Sequence, residues 1–203
     1  MQIQLNNAGK RFNRDWIFRN LRLNFSTNNK YAITGHNGSG KSTLLQCIAG
    51  AVYLSEGDIS FESNDTILPS EKQFQLISIC SPFLEVIEEM TANEFFQYHH
   101  SFKPFDVKYS IEKILEEIGL SKHADKQIRY YSSGMKQRIK LAQAFYSQTP
   151  VLLLDEPCSN LDASGISLYN KLIEELTENR ILIIASNDST EYSFCNHTYQ
   201  LGV

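Results

Sequence analysis

Tyr31-Ala32-Ile33-Thr34-Gly35-His36-Asn37-Gly38-Ser39-Gly40-Lys41-Ser42-Thr43 is the stretch whose reading decides the fold. It opens on a short apolar run that reads as a buried strand. A glycine-rich loop follows, and Thr43-Leu44-Leu45 begins a pattern that suits a helix. The loop fits G-x-x-x-x-G-K-[ST], the P-loop that wraps nucleotide phosphates. Gly35, Gly38 and Gly40 carry no Cβ, so the backbone takes positive φ and comes close to an anion. Successive N–H groups, including those of His36, Asn37, Ser39 and Thr43, then form a nest for oxygens. The helix that follows turns its positive end toward the same phosphates. Lys41 adds a full charge, and the Ser42 hydroxyl is placed to hold Mg²⁺. The fixed positions match by chance in roughly 1% of chains this long. A plain glycine turn between strand and helix is therefore the weaker reading.

Working outward, the 203 residues suffice for one large domain or a domain with an inserted lobe. A hydrophobic content of 42% and a charged content of 21% are those of a globular protein. The net charge of −4, with no long basic block, argues against a nucleic-acid surface. Cys47, Cys80, Cys158 and Cys195 are scattered without a C-x-x-C pair and read as reduced cytosolic thiols. His99-His100 has no metal-ligand spacing and reads as a solvated helix face. No apolar run approaches the ~18 residues of a membrane span. Met1-Gln2-Ile3-Gln4-Leu5 alternates as a strand does and is no signal peptide.

Along the chain, Ile3 and Leu5, then Leu21, Leu23 and Phe25, alternate with polar residues and predict strands. Between them lies a basic, aromatic turn, Lys10-Arg11-Phe12-Asn13-Arg14-Asp15-Trp16. Phe12 or Trp16 either stacks on adenine or packs in the core, with nothing local to decide. Ile59 and Phe61 predict a short strand, and Leu76-Ile77-Ser78-Ile79-Cys80 a buried one stopped by Pro82. From Phe83 the pattern turns helical. Thr91 with Glu94 makes a capping box. Ile111, Ile114, Leu115 and Ile118 repeat at helical spacing before Gly119. Tyr131-Ser132-Ser133-Gly134-Met135 precedes a further helix that carries Ile139, Ala142 and Phe145 on one side. The expected fold is α/β: a P-loop NTPase core with an inserted helical lobe and an antiparallel β portion near the N-terminus. It forms a single domain, 1–203, with its core at about 1–81 and 149–203 and the lobe at about 82–148.

Val151-Leu152-Leu153-Leu154 runs straight into Asp155-Glu156-Pro157. Adjacent carboxylates at the end of a buried strand need a partner. Beside a P-loop, Asp155 suits the magnesium shell and Glu156 an attacking water that it orients or deprotonates. The bland alternative is an acidic helix cap. Ile181-Leu182-Ile183-Ile184-Ala185 is the next buried strand, with Ser186-Asn187-Asp188 at its C-terminal end, where open α/β sheets place ligands.

Taken together, the P-loop, the run Tyr131-Ser132-Ser133-Gly134-Met135-Lys136-Gln137-Arg138, residues 151–157 and Ser159-Asn160-Leu161-Asp162 resemble the ATP-binding cassette (ABC) family in its order of motifs. The Ser132 segment corresponds to the family signature L-S-G-G-Q, with Tyr131, Ser133 and Met135 as departures. Its S-S-G-M-K-Q-R form is similar to that of export-type cassettes. Ser132, Gly134 and the next N–H groups open a helix and so form a second anion site. The resemblance implies that two cassettes pair head to tail, each ATP lying between one P-loop and the other chain's signature. Ser159 to Asp162 resembles the loop that crosses that seam. Phe12 falls where the family keeps its adenine-stacking aromatic, which raises it above Trp16.

Two positions depart from the pattern. The family's Gln after the strand ending near Cys80 is replaced by Ser81 or Pro82. Its His after the last buried core strand is Asn187, whose amide donates a hydrogen bond but carries no proton near neutral pH. The resemblance implies an ATP-binding and hydrolysing subunit of an ABC transporter, with ATP and Mg²⁺ as cofactors and Lys41, Glu156 and Asn187 in catalysis. The two departures imply slow turnover. Its partners would be a transmembrane permease subunit, docked on the helical lobe, and a second cassette. It would be cytoplasmic, at the inner face of the cell membrane. The competing readings are a non-transport cassette and a weakly catalytic half of an asymmetric pair.

Overall fold

A computed structural model describes residues 1–202. Its contacts divide the chain into two units. One comprises residues 1–79, 150–156 and 179 onward, the other residues 80–149 and 157–178.

The first unit holds two sheets. β1 (Gln2–Phe12) and β2 (Asp15–Ser26) form a hairpin, with Phe12 opposite Asp15. Asn13 bridges them at φ 54, a left-handed position that Asn tolerates well. β4 (Glu56–Ser63) pairs antiparallel with β1, and β5 (Thr66–Ile67) with β4. The second sheet has the order β6-β7-β8-β3-β9. Its strands are β3 (Lys30–Thr34), β6 (Ile77–Cys80), β7 (Val151–Asp155), β8 (Ile181–Ala185) and β9 (His197–Gln200). β3 runs parallel to β8 and β9, and β7 parallel to β8. Every residue of β7 and β8 is buried, as expected for parallel strands covered on both faces. α1 (Lys41–Ile48) follows the glycine loop, and the short α2 (Ser70–Gln73) precedes β6. Leu44, Leu45 and Ile48 of α1 share one core with Ile3, Leu5 and Phe61 of the antiparallel sheet and with Ile33, Leu153 and Ile183 of the parallel one.

The second unit is helical: α3 (Ala92–Phe102), α4 (Ile111–Glu117), α5 (Ser133–Tyr146) and α6 (Ala163–Leu176). Thr91 and Glu94 form the expected capping box at the start of α3. Ile139, Ala142 and Phe145 of α5 are buried together, as their spacing predicts. Two features differ from the sequence reading. Residues 157–178 cluster with the helices rather than with the sheets. The cause is α6, whose Tyr169 ring meets Phe145 of α5 edge-on at 6.3 Å. The other difference is that His99 and His100 are not simply a solvated face. His99 is half-buried and Nε2 lies 2.9 Å from Ser147 Oγ. The Ser147 hydroxyl donates to the Gln143 carbonyl, so His99 is the donor in its own contact. His100 Nδ1 accepts from the Phe105 amide at 3.1 Å.

Candidate functional site

The loop between β3 and α1 is shaped by its glycines. Gly40 caps α1 at φ 96, and an added Cβ there would sit 2.4 Å from Ile17 Cγ2. Gly35 lies at φ 144, and its Cβ would sit 2.4 Å from the Leu201 carbonyl. No atom lies within 4 Å of the space beside Gly38. His36, Asn37 and Gly38 are exposed, whereas Ser39 and Lys41 are buried. Lys41 Nζ folds back and donates to the carbonyls of Gly35 at 2.8 Å and His36 at 3.2 Å. The amides of Lys41, Ser42 and Thr43 open α1 and have no carbonyl within the helix to bond. Ser39 Oγ is buried without a hydrogen-bond partner. A buried orphan hydroxyl, an inward ammonium and a run of unpaired amides fit a polyphosphate, which supplies the acceptors they lack.

Ser42 Oγ donates to Asp155 Oδ1 at 2.9 Å, joining the start of α1 to the end of β7. Asp155 is only 2% exposed. One hydroxyl and one carboxylate are a donor set suited to Mg²⁺ that takes its remaining oxygens from phosphates and water. Among the described residues, no group of three or more His, Cys, Asp or Glu could hold a metal by itself. Glu156, next in the chain, is exposed and held at φ 44, with its amide donating to the Ala185 carbonyl at 2.9 Å. That left-handed step turns the second carboxylate away from the buried strand while pinning its backbone to β8. Asn187 follows β8 and is exposed, and its Nδ2 donates to Asn37 Oδ1 of the glycine loop at 2.7 Å. The five-stranded sheet thus brings Lys41, Ser42, Asp155, Glu156 and Asn187 to the C-terminal ends of its strands.

On the hairpin, the two aromatic candidates separate. Trp16 is half-buried; the guanidiniums of Arg19 and Arg11 lie 4.4 Å and 5.5 Å from its ring, and its edge packs on Gly9. Phe12 is 48% exposed at the hairpin end.

Within the helical unit, Ser132 is the N-cap of α5, its Oγ accepting from the Met135 amide at 3.2 Å. Its hydroxyl proton stays available to donate. Ser132, Gly134, His123, Arg138 and Asp162 line a cavity of about 410 Å³. Asp162 caps α6 by accepting from the Gly165 amide at 2.8 Å. That hydrogen bond, with those from Ser164 and Arg138, holds its carboxyl below the usual carboxylate range. Ser81 is buried and Pro82 offers its carbonyl to Lys140 Nζ at 3.3 Å, so no side-chain amide stands at either position.

Three contributors escape the sequence reading. Gln137, buried in α5, donates to the Pro157 carbonyl at 2.8 Å and so ties α5 to the turn after the acidic strand end. Arg138 joins the Ile118 carbonyl of α4 to Asp162 and Ser164 at the start of α6. A buried amide within an apolar helix face is the signal that would have singled out Gln137. Ile17, whose methyl closes on Gly40, carries no such signal, because its neighbour is set by the hairpin's placement.

Comparison with known proteins completes the reading. The family model for ABC transporters matches residues 18–159, well over half of the chain. The cytochrome c biogenesis ATP-binding export protein CcmA of Haemophilus influenzae is 30% identical over 160 residues, which cover 78% of this chain and 76% of that protein. YxlF of Bacillus subtilis, described as an uncharacterized ABC transporter ATP-binding protein, is 33% identical over 174 residues, covering 83% of this chain and 57% of its own length. Among solved structures, an ATP-binding subunit of an ABC transporter superposes with a TM-score of 0.87 at 20% identity, covering 99% of this chain and 86% of that one. A putative ABC transporter ATP-binding protein from Pyrococcus furiosus gives 0.83 at 22% identity, covering 99% and 98%. The structures support the P-loop ABC ATPase fold, with its mixed α/β core, helical subdomain and antiparallel β sheet. The chain belongs to the ABC transporter family, as an ATP-binding subunit.

Proposed function

We propose that this chain binds MgATP at the glycine loop, hydrolyses it, and uses the cycle to drive a separate transmembrane subunit. The observation that carries the reading is the 2.9 Å hydrogen bond between Ser42 and Asp155, set beside an ammonium aimed into the phosphate loop. Lys41 exchanges its two loop carbonyls for phosphate oxygens. Vacant amides of the loop and of Lys41, Ser42 and Thr43, with the Ser39 hydroxyl, hold the remaining oxygens. Ser42 and Asp155 hold Mg²⁺, which when bound neutralises phosphate charge and favours attack. Glu156 orients and deprotonates the attacking water. Asn187 donates an amide hydrogen bond to the terminal phosphate in place of an imidazole. Phe12 stacks on the adenine.

The second anion site follows from Ser132 and Gly134 at the start of α5. We infer that it meets the nucleotide of another cassette, so that ATP closes a head-to-tail pair and hydrolysis releases it. Among the described residues no helix is long and apolar enough to cross a membrane. The membrane partner in this reading is a permease subunit, which would place the chain at the inner face of the membrane. Exposed Phe83, Leu84 and Ile87, directly after β6, supply apolar surface for such docking. A second reading, a weakly catalytic half of an asymmetric pair, draws on Asn187.

Glu156→Gln separates binding from chemistry. The variant should bind MgATP as the parent does, lose at least about 100-fold in turnover, and elute as a dimer when ATP is present. Unchanged turnover would place the catalytic carboxylate elsewhere.

A further inference from the structure

Phe12 sits at a hairpin end, where a half-exposed ring would ordinarily change rotamer freely. It is not left to do so. Lys10 Nζ lies 4.7 Å from the Phe12 ring centroid and donates to the Tyr53 carbonyl at 2.8 Å. Two more hydrogen bonds strap the same strand end to the same loop. The Ser55 amide donates to the Gly9 carbonyl at 2.7 Å, and the Arg11 amide to Ser55 Oγ at 3.1 Å. Residues 53–55 follow α1, whose opposite end carries the phosphate loop. The ring is thereby tied to the far end of the helix that opens on the triphosphate.

We propose that Lys10 is the positioning residue of the nucleobase site, its ammonium covering one face of the Phe12 ring so that the other face receives the base. This rests on the reading of Phe12 as the stacking aromatic. An ammonium over an aromatic face is attracted by the ring quadrupole. The same ammonium is anchored to a backbone carbonyl, so it fixes the ring relative to the loop. A ring ordered in advance costs less to immobilise on binding. Trp16 is half-buried, with two guanidiniums near its ring and its edge against Gly9. Lys10 touches neither the base nor the phosphates in this arrangement; it acts through Phe12.

The test is calorimetric titration of the full chain with MgATP and, separately, with inorganic tripolyphosphate, which has no base. Lys10→Met keeps the aliphatic stem and removes the ammonium. It should weaken MgATP about threefold and leave tripolyphosphate affinity unchanged. In the Phe12→Ala background it should have no further effect, and Lys10→Arg should restore affinity. An equal loss for tripolyphosphate, or a loss that persists without Phe12, would mean that the charge acts directly on phosphates and would overturn the inference. So would unchanged MgATP affinity in Lys10→Met. Phe12→Ala alone tests the underlying reading. It should cost roughly tenfold in MgATP affinity, and a parental value would remove stacking itself, independently of Lys10.

Discussion

Lys41 is the only full positive charge that the glycine loop turns inward, and its ammonium rests on the carbonyls of Gly35 and His36. Those bonds hold the side chain in place for exchange onto phosphate oxygens. Lys41→Ala should abolish nucleotide binding or hydrolysis, read by titration and phosphate release; a normal rate would end the P-loop reading. Asn187 makes a subtler prediction. Its amide donates to Asn37 across the loop at 2.7 Å and has no ionisation near neutral pH. Asn187→His should raise turnover and add a limb to the rate profile near the ordinary imidazole range, around pH 6.5. An unchanged or lower rate would count against the view that this position limits the chemistry. The loop and the Asp155-Glu156 pair stand out in sequence because they combine an unusual spacing with adjacent carboxylates at the end of an apolar strand. Local pattern alone did not choose between Phe12 and Trp16, both aromatic residues beside one turn; only the family resemblance favoured Phe12. In the fold Phe12 is half-exposed under one ammonium, whereas Trp16 is half-buried beside two guanidiniums.

α3 shows what an element owes to distant chain. Its start is local: Thr91 Oγ1 accepts from the Glu94 amide at 3.2 Å, and the Thr91 amide donates to Glu94 Oε2 at 2.8 Å. Thr91→Ala should destabilise the helix by about 1 kcal/mol in urea denaturation, and no loss would deny the cap a role. Its end depends on Ser147, far along the sequence, so no local pattern announces it. Burial pushes the His99 imidazole down to about 4, and the nearby Lys103 and His100 charges push the same way. In the unfolded chain it titrates near its model value of 6.5. The unfolded state therefore binds more protons between those values, and stability falls as pH drops through about 6.5 toward 4. Above that window the stabilisation of neutral His99 is complete. His99→Gln retains a donor to Ser147 but does not titrate. It should flatten the fall of the urea midpoint between pH 7 and pH 5; an unaltered slope would assign the acid sensitivity to other groups. β7 and β8 were legible for the opposite reason, because a continuous apolar run is what a doubly covered parallel strand requires.

At the scale of the whole molecule, the anion sites proposed at the starts of α1 and α5 predict an exchange between chains. A Lys41→Ala chain lacks the phosphate charge, and a Ser132→Arg chain blocks the other helix end. Each alone should be inactive. Mixed in equal amounts, they form hybrid pairs with one intact composite site, so about a quarter of the parental rate should return. No recovery would exclude head-to-tail pairing of this chain with itself. Chain topology was readable only in outline. Alternation and apolar runs predict strands, but the order β6-β7-β8-β3-β9 follows from how the segments pair across the sequence. The boundary of the helical unit likewise moved to include α6, because packing against α5, not sequence order, decides its company.

The placement of β3 has a consequence for biosynthesis. Both of its neighbours, β8 and β9, come from the last part of the chain, and the Leu201 amide closes on the Thr34 carbonyl at 2.8 Å. A nascent polypeptide that has emerged only as far as Pro150 carries every letter of the glycine loop but neither of the strands that flank β3. Nucleotide is therefore expected to stabilise the chain only once β8 and β9 have joined β3. A ribosome-stalled chain halted there should show no ATP-dependent protease protection, while the released protein should.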